Sequence, residues 1–436
     1  MTVSAPTRIR NKPFATDEVR VEGRAKVSGA AAYSADAQRP GMLWAAFVTS
    51  PLPHARIVSV DARAAREMPG VHAVLSGADI GEHFLGRALF DWPVLATDVV
   101  HFIGQYVIAV AAETRAGAQA AAQAVDVQYE ELPAIFDPEE AIAPGAPVLH
   151  PHAERYPFII PGKRRPVPHP NMQGYLSETH GEVDAAFAGA HRVFEHRFST
   201  PRYFGAAIEP RATMVWIDER GIVHVISTNK SPFALRTQLS IATGVPAESI
   251  VVEPAYIGGD FGAKGLSVDE FACYFLARAT GRPIKAVRSY LDDMRSTNVR
   301  HASTVALKTA VAADGTILAM TGRIVFNGGA YGAGKPIPTI LPAVHAFPAL
   351  PYRIPSFSFE MMSVYTNTVP GGHVRAPGET QILFAVESHL DLIAHGVGKD
   401  PIAFRLANTG EQRMVDVLQR LRSESNWDAP PPAGRA

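Results

Sequence analysis

Glycine and proline interrupt this chain so often that long helices have little room to form. Of the 436 residues, 35 are glycines and 35 are prolines. Their combined share of the chain is larger than the roughly 12% that these two residues have in average proteins. Proline removes a hydrogen bond from a helix interior, and glycine carries an entropic cost there. The pattern therefore predicts many short strands and helices joined by turns, and it argues against a helical bundle.

The length and polarity of the chain are those of a globular protein. At roughly 150 residues per domain, the chain suffices for two or three domains with sizeable cores. Hydrophobic residues make up 47% of it and charged residues 19%, as in ordered proteins. The net charge of -1 provides no positive field for phosphates, so nucleic-acid binding is not expected.

Several other classes of protein are disfavoured by simple absences from the sequence. There is no run of about 18 apolar residues, so a membrane span is not expected. Residues 1–14 lack the apolar core of a secretory signal, which favours a cytoplasmic location. The single cysteine, Cys273, lies in an apolar helical pattern and excludes an iron–sulfur cluster bound by this chain alone. No HExxH pair or close histidine–carboxylate cluster occurs, so no metal ion bound by protein side chains is expected.

The predicted elements divide the chain into four parts. An N-terminal arm covers residues 1–19, and strands mix with short helices over residues 20–130. Residues 131–175 are rich in proline. This composition predicts an extended connector across the surface of two domains, with a flexible linker as the alternative. Residues 176–436 form a domain of antiparallel strands and helices with a C-terminal tail.

Some elements of this pattern can be located closely. A helix is expected over residues 114–125 with Thr114 as its N-cap. A buried helix is expected over residues 268–280. Strands over residues 304–312 and 317–327 are expected to form a hairpin around an Asp-Gly turn.

A glycine-rich segment, YIGGDFGAKG at residues 256–265, lies between a predicted strand and a predicted helix. Such a loop allows backbone N–H groups to approach an anion closely. Its spacing is neither that of a Walker A loop nor that of a dinucleotide-binding G-x-G-x-x-G motif. A purely structural turn is the alternative.

Two further segments could place polar side chains beside that loop. PGGHVRAPGETQ at residues 370–381 sets Arg375 just before a helix, where it could bind an anionic or carbonyl group bidentately or cap backbone carbonyls. STNKSP at residues 227–232 sets Asn229 at the end of an apolar strand, where it could offer an amide to a pocket or simply form a turn.

Taken together, these segments resemble the molybdopterin-binding large subunit of the xanthine dehydrogenase and aldehyde oxidase family. The segments similar to its a/b hammerhead domain are VEGRAKVSGAAAY (21–33), SPLPHA (50–55), MPGVHAV (68–74) and YEELP (129–133). Those similar to its first molybdenum-cofactor domain are IEP (208–210), STN (227–229), GGDFGAK (258–264), GRP (281–283), VRAPG (374–378) with Gln381, and DPIAFR (400–405). The resemblance implies an α+β fold in which the hammerhead domain is followed by the first molybdenum-cofactor-binding domain.

The resemblance also implies a cofactor and a reaction. The cofactor is molybdopterin cytosine dinucleotide, whose pterin holds the molybdenum in place of protein ligands. The reaction is hydroxylation with water as the oxygen source, and the electrons leave through 2Fe-2S clusters and FAD on partner subunits. The implied substrate is a small N-heteroaromatic molecule, with nicotinate the best single candidate and aldehydes the runner-up.

Individual residues acquire roles through the same resemblance. Gly258, Gly259, Asp260, Phe261 and Gly262 match the glycine-rich motif beside the molybdenum, with Phe261 as the aromatic residue near the substrate. The carboxylate at position 260 replaces the small residue that is more usual there.

Other positions match the family less completely. Arg375 matches an arginine that faces substrate and metal. Asn229 falls where many relatives carry a glutamine that hydrogen-bonds the apical molybdenum ligand, and it is one methylene shorter. The implied catalytic residues are therefore Asn229, Phe261 and Arg375. Gly265 stands where purine-oxidising relatives carry a glutamate, so xanthine is not the expected substrate.

Full-length relatives continue into a second molybdenum-cofactor domain that supplies a glutamate as general base. The late residues Glu411 and Glu424 fall in a predicted tail helix and do not match that glutamate. We therefore expect a split large subunit of the nicotinate dehydrogenase type, completed by a second molybdopterin-binding subunit and joined by 2Fe-2S and FAD subunits. A truncated chain and a non-catalytic scaffold are the alternatives.

Overall fold

The computed structural model describes residues 20–159, 166–335 and 351–429. Within these ranges the helices, labelled in chain order, are α1 Gly23–Val27, α2 Arg63–Glu67, α3 Gly77–Ile80, α4 Arg115–Gln123, α5 Pro138–Ala141, α6 Val183–Ala188, α7 Pro232–Thr243, α8 Asp269–Thr280, α9 Tyr290–Arg295, α10 Glu379–Gly396, α11 Pro401–Asn408 and α12 Gln412–Glu424. No helix in these ranges combines the length and apolarity that a membrane crossing needs.

The strands of the same ranges outnumber the helices. They are β1 Leu43–Thr49, β2 Ala55–Asp61, β3 Val71–Ser76, β4 Phe84–Gly86, β5 Phe90–Pro93, β6 Val99–Val100, β7 Tyr106–Ala112, β8 Asp126–Glu131, β9 Met172–His180, β10 Arg192–Thr200, β11 Ala212–Ile217, β12 Val223–Ser227, β13 Ile250–Glu253, β14 Ile284–Val287, β15 Val299–Arg300, β16 Ala302–Val311, β17 Ile317–Gly329, β18 Ser356–Tyr365 and β19 Gly371–Gly372.

Strands from both predicted domains share one sheet. Its seven strands in the described residues run in the order β13-β12-β11-β14-β1-β7-β3. The join is the parallel pairing of β1 with β14, in which Leu43 lies opposite Ile284. Both side chains belong to a single core that also includes Phe102 and Phe271. The two parts of the chain therefore bury a common core, and the domain limits given above stay predictions.

A second sheet has the order β10-β16-β17-β18-β9. Helix α10 packs against β10 and β16, and its apolar side chains Ile382, Val386 and Leu390 enter the core of this sheet. Because α10 starts directly after the loop that carries Arg375, this packing fixes that loop against the sheet.

Most of the elements located from the sequence are present. The Thr114 hydroxyl accepts a hydrogen bond from the Gly117 N–H and so caps α4. Helix α8 ends before Gly281 and buries Cys273 completely. Strands β16 and β17 form the expected hairpin. Strand β9 begins at Met172, inside the proline-rich segment. Sequence analysis misses it because its first three residues are buried and its last four exposed, without alternation.

The described parts of residues 131–175 lie partly against the second sheet, where Ala141 packs with Val325, and partly against the β4–β5 hairpin, where Phe158 pairs with Leu89. The Ile135 N–H donates to Asn367 Oδ1 at 2.9 Å, and the Asn367 N–H donates to the Ile135 carbonyl at 2.7 Å. The buried Asn171 amide donates to the carbonyls of Ala141 and Pro147 at 2.8 and 2.9 Å. These hydrogen bonds satisfy backbone groups that proline-rich sequence cannot pair within itself.

A buried ion pair connects α8 to the end of β14. Arg288 donates from Nε and Nη2 to the two carboxylate oxygens of Asp269 at 2.7 and 2.8 Å, and the Tyr106 hydroxyl donates to Asp269 at 2.7 Å. The two charged side chains are only 2% and 1% exposed. Each charge therefore depends on the other for its solvation.

We expect Arg288→Leu to lower the free energy of unfolding by about 3–5 kcal/mol, because Asp269 would keep a buried charge without its partner. Denaturant unfolding followed by circular dichroism measures the change. Arg420→Leu is the matched control, since its ion pair with Glu424 is 77% and 65% exposed. A shift for Arg288→Leu no larger than that of the control would contradict this interpretation.

Candidate active site

The glycine-rich loop between β13 and α8 adopts a backbone that requires glycine at specific points. Gly259 and Gly262 have φ angles of 109° and 101°. A Cβ atom at Gly262 would lie 2.6 Å from the carbonyl oxygen of His373. The Arg375 N–H donates to the Phe261 carbonyl at 2.7 Å. The loop and the Arg375 segment, identified separately in the sequence, are therefore in direct contact.

The Glu209 carboxylate holds both ends of this loop. Its Oε2 accepts hydrogen bonds from the Gly258 N–H at 2.7 Å and from Lys264 Nζ at 3.0 Å. Lys264 also donates to the Glu209 carbonyl at 2.7 Å. Burial lowers the pKa of Lys264 and the Glu209 carboxylate opposes that shift, so the pair is mutually stabilised in a site with little water.

Asp260 organises the middle of the loop. Its carboxylate accepts hydrogen bonds from the Gly262 N–H at 2.9 Å and from the Lys264 N–H at 2.7 Å. Lys230 Nζ lies 3.3 Å from the same carboxylate and donates to the Gly262 carbonyl at 2.9 Å. The Asp260 carboxylate, which departs from the family pattern, thus binds backbone groups of its own loop.

Phe261 and Arg375 meet in a cavity of about 810 Å³. The Arg375 guanidinium carbon lies 5.4 Å from the centre of the Phe261 ring, a distance suited to a cation–π contact. Tyr203, Arg300 and Phe384 also line this cavity. No residue of the described chain forms a hydrogen bond or ion pair with the Arg375 side chain, which is therefore available to a ligand.

Backbone strain is concentrated at this cavity. In the described ranges, the non-glycine residues with positive φ are Ala206, Phe261, Ala376 and Asn426. Ala206 and Phe261 line the cavity, and Ala376 follows Arg375. Such conformations cost about 1–3 kcal/mol each and accumulate at functional sites. Their clustering marks this cavity as a functional site independently of any motif.

Asn229 lies at the end of β12 but does not line that cavity. Its Oδ1 accepts the Ser231 N–H at 2.9 Å, the turn geometry that sequence analysis offered as the alternative. The next residue, Lys230, contacts the glycine loop. The structure thus brings Phe261 and Arg375 together, and Asn229 does not join them in the cavity lining. The catalytic roles of all three residues stay predictions.

Two residues near the loop were not found from the sequence. Arg87, between β4 and β5, places its guanidinium 3.2 Å from the position that a Cβ at Gly265 would occupy. His373 has a buried Nε2 without a hydrogen-bond partner in the described residues. Arg87 belongs to no motif and lies far from the loop in the sequence, so only the tertiary structure identifies it.

The arrangement fits a cofactor that carries phosphate and hydrogen-bonding ring atoms. Glu209 Oε1 and His373 Nε2 are buried polar atoms that lack partners among the described residues. Arg375 offers an unpaired positive charge, and the glycine loop allows close approach of its backbone. An external ligand with both donors and acceptors would satisfy these groups.

Family models match most of the chain. The model of the molybdopterin cofactor-binding domain matches residues 167–409. The model of the aldehyde oxidase and xanthine dehydrogenase a/b hammerhead domain matches residues 28–133. The second match includes Arg87, and the first includes the glycine loop and Arg375.

Similar proteins agree with these matches. A probable xanthine dehydrogenase subunit of Bacillus subtilis (strain 168) is 34% identical over 94% of this chain and 52% of its own length. The nicotinate dehydrogenase large molybdopterin subunit of Eubacterium barkeri is 32% identical over 90% of this chain and 88% of its own length. The reconstituted CO dehydrogenase from Oligotropha carboxidovorans superimposes with a TM-score of 0.87 at 27% identity, over 94% of this chain and 54% of that one.

The chain spans about half the length of several of these relatives and most of the length of the Eubacterium barkeri subunit. Its fold is the expected hammerhead domain followed by a molybdenum-cofactor-binding domain. The chain therefore belongs to the xanthine dehydrogenase and aldehyde oxidase family of molybdopterin-binding oxidoreductases.

Proposed function

We propose that this chain is a molybdopterin-binding part of a multi-subunit cytoplasmic hydroxylase. Its proposed substrate is an N-heteroaromatic compound such as nicotinate, oxidised with water as the oxygen source. A second molybdopterin-binding chain completes the active site, and 2Fe-2S and FAD subunits accept the electrons. The proposed cofactor is molybdopterin cytosine dinucleotide.

The free guanidinium of Arg375 beside Phe261 is the observation that carries this proposal. Arg375 can bind an anionic or carbonyl oxygen through two parallel hydrogen bonds, and Phe261 presents an aromatic ring that packs against a flat substrate and excludes water. The Gly258–Gly262 loop would hold the cofactor through backbone groups of residues 259–261, since the N–H groups of Gly258 and Gly262 donate to Glu209 and Asp260. When bound, the cofactor would supply the two-electron oxidation that no side chain here can perform.

The partner chain is proposed from two observations. The Eubacterium barkeri subunit, whose name states a nicotinate dehydrogenase, is matched over 88% of its length, so a large subunit of this extent has a precedent. The cavity also exposes large apolar side chains: Tyr203 is 54%, Phe384 51% and Phe261 41% exposed. Such a patch is typical of a surface that another polypeptide covers.

We expect the 436-residue chain purified alone to hydroxylate nicotinate at least about 100-fold more slowly than the native complex, because general-base catalysis contributes roughly 10²–10⁴-fold and the base is proposed to lie on the partner. Affinity purification of the tagged chain from its native host, followed by molybdenum, nucleotide, iron and flavin analysis, tests the complex. Comparable turnover by the isolated chain would exclude the split site.

The same purification separates the alternatives. Aldehydes remain the second substrate class because Arg375 also suits a carbonyl oxygen, and parallel assays with nicotinate and an aromatic aldehyde decide between the two. A folded, metal-free chain that purifies without partners would favour the alternative that this chain is a non-catalytic scaffold.

Arg375→Ala in the complex should lower kcat/KM for an anionic or carbonyl substrate by about 10- to 100-fold, the effect of losing a charged hydrogen bond of about 1.5–3 kcal/mol. Steady-state kinetics and molybdenum content are measured together. Arg220→Ala, at an exposed turn, is the control. Unchanged kinetics for Arg375→Ala would remove that residue from the site.

Gly262→Ala should abolish molybdenum incorporation, since its new Cβ would lie 2.6 Å from the His373 carbonyl oxygen. Gly221→Ala is the control for the backbone strain of a positive φ without crowding. Gly221 has a φ of +79°, and nothing lies within 4 Å of the added Cβ. Elemental analysis of both purified variants gives the comparison. Equal molybdenum content in the two would contradict a role for the loop in holding the cofactor.

A further inference from the structure

The charged side chains of Arg87 and Lys230 lie close to Gly265 and Asp260 of the glycine loop. We define the Arg87 recess by Arg87, Lys230, Asp260, Gly265 and His373. Phe261 lines the cavity, whereas Asp260 and Gly265, from the same loop, lie beside the charges of the recess.

Arg87 is held in place without being neutralised by direct contact. Its backbone N–H donates to the Ala333 carbonyl at 3.0 Å, and its side chain is half-buried. No hydrogen bond or ion pair to its guanidinium occurs within the described ranges. Burial lowers the pKa of Arg87, and the charge of Asp260 partly offsets this effect. A half-buried guanidinium without a partner is an unsatisfied group that favours an anionic ligand.

Asp260 does not satisfy the positive charge of the recess. Its carboxylate accepts two backbone N–H groups and lies 3.3 Å from Lys230 Nζ. Lys230 pairs with Asp260, so Asp260 offsets the charge of Arg87 only in part.

His373 contributes a neutral hydrogen-bonding group. Burial, together with the positive charges of Arg87, Lys335 and Lys230, lowers the pKa of His373 to about 3. The imidazole is therefore uncharged at neutral pH, and its buried Nε2 lacks a partner among the described residues. In the tautomer that protonates Nε2, it can donate to an oxygen atom.

Gly265 leaves room for the guanidinium of Arg87 beside the loop. A Cβ at this position would lie 3.2 Å from Cζ and Nη1 of Arg87 and 3.5 Å from Cε of Lys230. Any longer side chain would displace Arg87, and an acidic one would neutralise it.

We infer that Arg87 is a specificity-determining residue whose guanidinium binds the carboxylate of an aromatic ring substrate, with Lys230 and His373 as additional contacts. This inference rests on the proposed function. A planar guanidinium pairs bidentately with a carboxylate, so it would fix the ring by its substituent and orient the carbon to be oxidised. An uncharged amide in place of the carboxylate would lose the charge-assisted part of this interaction.

A phosphate of the cofactor presents the same kind of oxygen atoms as a substrate carboxylate. The two sources predict different losses when Arg87 is replaced. Loss of a substrate contact changes the preference between charged and uncharged rings, and the cofactor stays bound. Loss of a phosphate contact lowers molybdenum content and reduces turnover of both rings equally.

The test compares nicotinate with nicotinamide as substrates of the purified complex. We expect Arg87→Gln to lower the ratio of their kcat/KM values by about 10- to 100-fold, mainly through KM for nicotinate, with molybdenum content retained. Arg87→Lys should restore part of the ratio. Gly265→Ala should lower the ratio without removing a charge, which keeps the test valid if Arg87→Gln does not fold. The control is Arg413→Gln, an exposed arginine on α12.

An unchanged ratio in both Arg87→Gln and Gly265→Ala, or a parallel loss of both activities with loss of molybdenum, would overturn the assignment. Calorimetric titration of the complex with nicotinate separates this failure from failure of the proposed function. Binding that depends on Arg87 without turnover of either ring would support the carboxylate site and refute the hydroxylase. Turnover of the two rings at a ratio that does not depend on Arg87 would support the hydroxylase and refute the carboxylate site.

Discussion

The hydrogen bonds of the Glu209 carboxylate support the rest of the site. Its Oε2 binds the Gly258 N–H at the start of the glycine loop and Lys264 Nζ at its end. Without this carboxylate, the buried Lys264 would lose its ion-pair partner, and the loop would lose a side-chain anchor at each end. The positive φ angle of Phe261 depends on these anchors, because a strained residue persists only where its surroundings determine its conformation.

The pairing of β1 with β14 explains how a residue of the hammerhead segment reaches this loop. The shared sheet fixes the first segment against the second, and the short β4–β5 hairpin carries Arg87 to within 3.2 Å of the Cβ position of Gly265. A site composed in this way is sensitive to the relative placement of two segments that are far apart in the sequence. The common buried core supplies the rigidity that such placement requires.

Local chemistry made much of this structure predictable. The Thr114 cap, the hairpin of β16 and β17 and the burial of Cys273 each follow from residues adjacent in sequence. The glycine loop and the Arg375 segment could be identified for the same reason, since glycine and proline restrict the backbone locally. Arg87 and His373 could not, because their relevance comes from unsatisfied charge and hydrogen bonding that arise only when distant segments pack together.

The distribution of charge around the loop also bears on how the site tolerates a carboxylate at position 260. An acidic side chain beside a site for anions would normally repel them. Here the Asp260 oxygens accept two backbone N–H groups and face Lys230, so the negative charge stabilises the turn and is locally balanced. The guanidinium groups of Arg87 and Arg375 form no ion pair with any residue that the structure describes. The loop is therefore electropositive despite its aspartate, and this property follows from hydrogen bonding within the loop, since the chain as a whole is close to neutral.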